Sequence, residues 1–133
     1  MKTLLTILSF SFMCSVFAGP IEDLSEVLPT GSYKGQGCVV KVAIRDDSFN
    51  IEIFDDQERR LAGHAFSHFD DVKTSKLVEK NLTLKFVQHP NDGYAGKDVV
   101  TVKIKDRKVS VKVRDYGPLG LLFRTESAAC DIK

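Results

Sequence analysis

Residues 31–45 read GSYKGQGCVVKVAIR, and the rest of the chain is best understood from this stretch. From Cys38 to Ile44 every second residue is apolar, which is the period of a β-strand with one buried face. The stretch is therefore predicted to form the first strand of a β-domain. Gly35 and Gly37 indicate a bend just before the alternating part.

Cys38 lies in this strand, and Cys130 lies near the C-terminus. These are the two cysteines that remain once the N-terminal segment is removed, and an exported chain folds in an oxidising compartment. We therefore predict a Cys38–Cys130 disulfide that joins the first strand to the last. Neither cysteine has the CxxC spacing of a zinc or redox site.

Residues 1–18 have the pattern of a secretory signal peptide. Lys2 gives the positive start, an apolar run follows, and Ala18 ends a small-x-small cleavage motif. The run is shorter than the roughly 20 residues that a membrane span requires. We predict an exported protein without a transmembrane segment, periplasmic if the host is bacterial and otherwise secreted. A short N-terminal arm, residues 19–30, would precede a single domain, residues 31–133.

The remainder of the chain repeats the alternation. The clearest alternating segments are residues 49–53, 82–86, 100–104 and 109–113. With weaker segments between them they predict about eight short antiparallel strands. An up-and-down barrel pairs its first strand with its last, which agrees with the predicted disulfide. We therefore predict an all-β fold and a small antiparallel β-barrel, with a β-sandwich as the alternative.

Composition limits the function. The 133 residues, 43% of them hydrophobic, suit one domain with a core. Of the 19 basic residues only Lys2 lies in the predicted signal peptide, so 18 basic residues remain against 18 acidic ones. A neutral total argues against nucleic-acid binding, which requires a basic footprint.

Catalytic and metal-binding patterns are weak. No serine lies in a G-x-S-x-G motif, and carboxylate pairs such as Asp55–Asp56 lie in predicted turns, where water solvates them. His64 and His68 share a strand face but are about 13 Å apart on an extended chain, too far to share a zinc ion. We predict no enzyme, no cofactor and no metal.

Two surface features are candidate binding sites. The predicted hairpin over residues 100–114 has a basic polar face that suits an anionic surface. Its candidate residues are Lys103, Lys105, Lys112 and Arg114. Such lysines also occur simply to prevent strand edges from pairing. The longest irregular segment, residues 88–97, is the expected recognition loop. Its candidate residues are Asn91, Asp92 and Tyr94.

Residues 29–37, PTGSYKGQG, resemble the Gly-x-Trp start of lipocalin-type barrels, with Tyr33 where that family has tryptophan. The resemblance implies a barrel that carries a small apolar ligand. The main hypothesis is a different one, an exported non-enzymatic binding module, with inhibitor-like binding as one form. Its partner is an unknown protein or an anionic envelope component. A hydrolase is a further alternative, and it requires a buried contact at one of the three histidines, His64, His68 or His89.

Overall fold

The computed structural model describes residues 19–46, 48–68, 72–89 and 96–133, with the backbone alone at 65–68 and 72–75. The predicted signal peptide therefore lies outside the described residues. These residues form one helix, α1 (Pro20–Val27), and nine strands. The strands are β1 (Gly31–Lys34), β2 (Cys38–Ile44), β3 (Ser48–Asp55), β4 (Arg60–His68), β5 (Val72–Val78), β6 (Asn81–Gln88), β7 (Lys97–Lys105), β8 (Lys108–Tyr116) and β9 (Leu122–Asp131).

The strands form two antiparallel sheets in which each strand pairs with the next along the chain. One sheet has the order β1-β2-β3-β4 and the other β5-β6-β7-β8-β9. Their inner faces share one core, where Phe49 of β3 meets Phe86 of β6 edge to face with ring centroids 5.2 Å apart. The prediction of an all-β antiparallel fold is confirmed.

The prediction of a closed barrel is wrong. Among the described residues β4 and β5 do not pair, and β9 reaches the β1 hairpin at a single bridge, Gly35–Ile132, with a few backbone hydrogen bonds around it. Alternation shows which face of a strand is buried, but it does not show which strand edges meet. The structure is nearer to the alternative, two packed sheets.

The stretch 31–45 is a hairpin and not a single strand, since β1 and β2 pair antiparallel. The glycines between them reverse the chain. Gly37 has φ +71°, a conformation that glycine adopts at little cost. Gly35 leaves no room for a side chain, because a Cβ there would collide with the Asp131 carbonyl oxygen and both cysteine Sγ atoms.

The predicted disulfide is confirmed. Cys38, at the start of β2, is bonded to Cys130, near the end of β9, with their Cα atoms 5.8 Å apart. Both cysteines are buried in the shared core. The bond therefore ties the two sheets together at one corner.

The predicted arm contains helix α1. Pro20 stands in its first turn, where proline needs no hydrogen-bond partner, and Glu22 and Asp23 suit the positive end of the helix dipole. Leu24 and Leu28 are fully buried in the core. The arm therefore packs against the sheets.

Alternate residues of the central strands are buried, as their period predicted. They are Val40, Val42, Ile51, Ile53, Leu82, Leu84, Phe86, Val100, Val102, Ile104, Val109, Val111 and Val113. Complete burial of one such side chain stabilises the fold by roughly 1.5–3 kcal/mol. Because the apolar side chains of the five-stranded sheet point to the core, its polar side chains point to solvent.

Asp55 holds the turn between β3 and β4. Its Oδ1 accepts the backbone N–H groups of Gln57 and Arg59, both at 2.9 Å, and its Oδ2 accepts Arg59 Nε at 2.7 Å. The Arg59 backbone N–H is the main cause of a lowered Asp55 pKa. Such donors favour the charged carboxylate over the neutral acid.

This lowered pKa predicts a pH-dependent stability. The Asp55 carboxylate stabilises the folded protein above its unfolded-state pKa, about 3.9, and this contribution is lost as the pH falls through the lower folded-state pKa. We expect the melting temperature of wild type to be higher than that of Asp55→Ala at about pH 7. The difference between the two melting temperatures should shrink below about pH 4. Thermal unfolding across this range measures the difference, with exposed Asp56→Ala as control. A difference that does not change with pH contradicts the assignment.

Candidate anion-binding face

The outer surface of the five-stranded sheet contains a basic depression of about 450 Å³. Four cations on three neighbouring strands line it, together with three hydroxyl side chains. The cations are Lys85, Lys103, Lys112 and Arg114, and the hydroxyls belong to Thr101, Ser110 and Ser127. We call these seven residues the basic face.

The register of the β7–β8 hairpin places these residues together. Its turn consists of Asp106 and Arg107, with φ +49° and +65°. Two-residue turns with both φ values positive match the right-handed twist of a hairpin. The turn sets Lys105 opposite Lys108, so that the odd residues of β7 and the even residues of β8 share the outer face.

Within the basic face, lysines alternate with hydroxyl residues across the strands. One row contains, in spatial order, Lys85, Thr101, Lys112 and Ser127. In the next row Lys103 lies opposite Ser110. No two cations of the face are directly opposed, which limits their repulsion. An oxyanion placed between them meets both ammonium and hydroxyl donors.

The charge of this face is not compensated. In the part of the chain that the structure describes, none of its four cations makes an ion pair, and no carboxylate lines the depression. The nearest cations of the face are two residues apart on one strand, or one strand and two residues apart, which is roughly 7–8 Å between their backbone positions. This spacing is on the order of the Debye length of about 8 Å at physiological salt, so their positive potentials overlap and attract anions, most strongly at low salt.

Of the predicted basic residues, three line the depression: Lys103, Lys112 and Arg114. The fourth, Lys105, is exposed on the same sheet but lies next to the hairpin turn, opposite Lys108. Their part in binding remains a prediction. The predicted loop residues Asn91, Asp92 and Tyr94 lie outside the described residues.

Sequence reasoning did not include Lys85 in the site. The alternation of Leu82, Leu84 and Phe86 already turns Lys85 outward, as the structure confirms. Its position beside Thr101 depends on the pairing of β6 with β7. Because a long segment separates those two strands in the sequence, no short turn indicated that they pair.

A second polar cluster links β4 to the five-stranded sheet. His64 Nε2 lies 3.2 Å from Asp98 Oδ2 of β7, and the His64 side chain is 13% exposed. Its ring meets Phe86 edge to face with centroids 6.2 Å apart. Nearby, Arg60 Nη1 lies 3.2 Å from Glu126 Oε2 of β9. These contacts hold the sheets together at this side of the core.

The His64–Asp98 pair is the type of contact that the hydrolase alternative requires. A hydrolase of the serine or cysteine type also needs a hydroxyl or thiol beside the histidine. The depression next to this pair, about 280 Å³, has no serine, threonine or cysteine among the described residues that line it. His89 is exposed, and the His68 side chain lies outside the described atoms. Among the described residues, the cluster thus offers no hydroxyl or thiol nucleophile beside His64, and its contacts join β4 to β7 and β9.

Comparison with protein-family models, curated proteins and solved structures found no match to this chain. Within the described residues, the single helix is too short to cross a membrane.

Proposed function

We propose that the protein is an exported, non-enzymatic module that binds an anionic partner on its basic face. The observation that carries the proposal is the convergence of four cations, none with an ion-pair partner among the described residues, on one depression. The partner is either an anionic component of the cell envelope or an acidic protein surface.

The chemistry of the face suits an array of oxyanions. Each lysine ammonium offers three N–H donors and the Arg114 guanidinium offers five. Outward residues repeat at about 6.8 Å along a strand and about 4.8 Å between strands. Phosphate, sulfate or carboxylate groups in a repeating polymer or a packed surface can engage several of these donors at once. The depression lies on the outer surface of the sheet, where an extended partner can reach it.

Edge protection does not explain these lysines. Lys85, Lys103 and Lys112 belong to β6, β7 and β8, which are the inner strands of the sheet, and the edges are β5 and β9. Lysine blocks unwanted pairing when it lies on an edge strand. Inner strands need no such protection, and these three lysines have no ion-pair partner among the described residues, which favours a role in binding an anion.

The carrier alternative has less support. A carrier of an apolar ligand needs an internal cavity of roughly 300 Å³ or more. Here the inward side chains of both sheets and of α1 pack against one another in one hydrophobic cluster. An anion held on the outer face requires no such cavity.

We expect Lys103→Glu with Lys112→Glu to weaken binding to dextran sulfate, a sulfated polymer, at least roughly tenfold, because each substitution replaces attraction with repulsion. Both side chains point to solvent, so the melting temperature should change little. Fluorescence anisotropy with labelled polymer at low salt measures the dissociation constant. Raised salt should weaken wild-type binding.

The matched control is Lys105→Glu with Lys108→Glu, in the same hairpin and with the same change in net charge, but outside the depression. It should weaken binding by less than about threefold, since those charges are farther from the bound polymer. Equal losses in the two variants would show that only net charge matters. That result, or no binding by wild type, would overturn the proposal.

A further inference from the structure

The loop between β8 and β9, together with the first two residues of β9, exposes four large apolar side chains that we call the apolar loop. Leu119, Leu121, Leu122 and Phe123 are 87%, 70%, 55% and 81% exposed. They are the most exposed large apolar side chains of the described residues. Single exposed apolar residues are ordinary, but a contiguous group of them marks an interaction site.

Local structure keeps these side chains outside. The Gly117 N–H donates to the Leu121 carbonyl and the Gly120 N–H to the Gly117 carbonyl, both at 2.9 Å, so the loop is a folded turn. Tyr116 pairs with Leu122 and Asp115 with Arg124, which leaves Phe123 as the extra residue of a β-bulge. Bulges redirect side chains, and this one turns Phe123 into solvent.

Two cations of the outer sheet face lie at the same end of the sheet as this apolar loop. One is Arg114, which belongs to the basic face and is exposed. Arg124 is not counted with them, because it is ion-paired with Glu126 at 2.9 Å on the opposite face of the sheet. Lys97 Nζ lies 5.8 Å above the Tyr116 ring. Arg114 lies opposite Thr125 of β9, two residues after Phe123, so the basic face reaches the end of the sheet from which the apolar loop extends. The apolar side chains, the Tyr116 ring and the cations Lys97 and Arg114 therefore lie at one end of the sheet.

We infer that the anionic partner is a lipid bilayer, with the apolar loop inserted among the acyl chains and the basic face held against anionic head groups. This inference rests on the proposed function. Interfacial binding combines apolar burial with attraction of lysine and arginine to anionic lipid. The loop side chains protrude at the end of the sheet that also carries Lys97 and Arg114, which suits a bilayer surface; a protein surface would need a groove to receive them.

The chain contains no tryptophan, so a single substitution provides a fluorescent reporter. Phe123→Trp should shift its emission to the blue with vesicles of phosphatidylcholine and phosphatidylglycerol, and brominated acyl chains should quench it. Val78→Trp is the control, because Val78 is 50% exposed at the opposite end of the same sheet. It should show neither effect. Vesicles of phosphatidylcholine alone should bind Phe123→Trp far more weakly, because attraction to anionic head groups is absent.

A second variant separates the loop from the basic face. Leu121→Ser with Phe123→Ser should lower the vesicle partition coefficient at least roughly tenfold, because two large apolar side chains no longer leave water. Its binding to dextran sulfate should equal that of wild type. Both side chains are exposed, so the fold should be retained, and circular dichroism checks this.

The outcomes distinguish the two proposals. If wild type binds dextran sulfate but not the vesicles, the lipid inference is overturned and the proposed function stands. The apolar loop would then be assigned to a protein partner. Vesicle binding that is insensitive to the loop substitutions also overturns the inference. If wild type binds neither dextran sulfate nor vesicles, the proposed function fails with it.

Discussion

The Val111→Asp variant is expected to yield no folded protein. Val111 is fully buried at the centre of β8, between Val102 of β7 and Ala128 of β9. An aspartate there places an unpaired polar or charged group in the core, at a cost of several kcal/mol. A domain of this size is stable by only about 5–15 kcal/mol, so this substitution removes most of the stability.

The control for this variant is the next residue. Lys112→Asp introduces the same side chain one position along β8, where it points to the outer face and stays in water. It should fold with a melting temperature close to wild type. Soluble yield, circular dichroism and thermal unfolding compare the two variants. A cooperative unfolding transition for Val111→Asp at the wild-type temperature would contradict the assigned inner face of β8.

Loss of the disulfide is the second large expected effect. Replacing Cys38 and Cys130 together by alanine should lower the free energy of unfolding by about 4 kcal/mol. The bond closes a loop with a sequence separation of 92 residues, and the chain-entropy relation gives roughly 4–5 kcal/mol for such a loop. Since the bond joins β2 to β9, its loss should also loosen the corner where the two sheets meet.

Urea unfolding under oxidising and reducing conditions measures this contribution. Reductant should lower the midpoint of wild type toward that of the double variant, and it should leave the variant unchanged. If the double variant and oxidised wild type unfold at the same urea concentration, the bond does not contribute to stability as proposed.

Much of the fold could be read from local pattern. The strands around Ile51, Leu84, Val102 and Val111 were predictable because each alternates with period two, and the same pattern showed which face is buried. The disulfide followed from the predicted export signal and from the number of cysteines left. Sheet closure was not predictable, because it depends on which strand edges meet, and neither alternation nor the Cys38–Cys130 pair determines that.

The candidate site was predictable only in part. Lys103, Lys112 and Arg114 lie in one hairpin, where sequence spacing is enough to bring them together. Lys85 joins them only through the pairing of β6 with β7. The apolar loop was missed for another reason, because an apolar run ending in Phe123 looks like a buried strand until its exposure is known.

The most direct test of the basic face is an NMR titration of the labelled protein with a short dextran sulfate oligomer, followed through the backbone amides. Our account predicts the largest shift changes at the outward positions of β7 and β8, around Thr101, Ser110 and Lys112, with β2 and β3 nearly unchanged. Shift changes centred on the four-stranded sheet, or spread evenly over the protein, would contradict it.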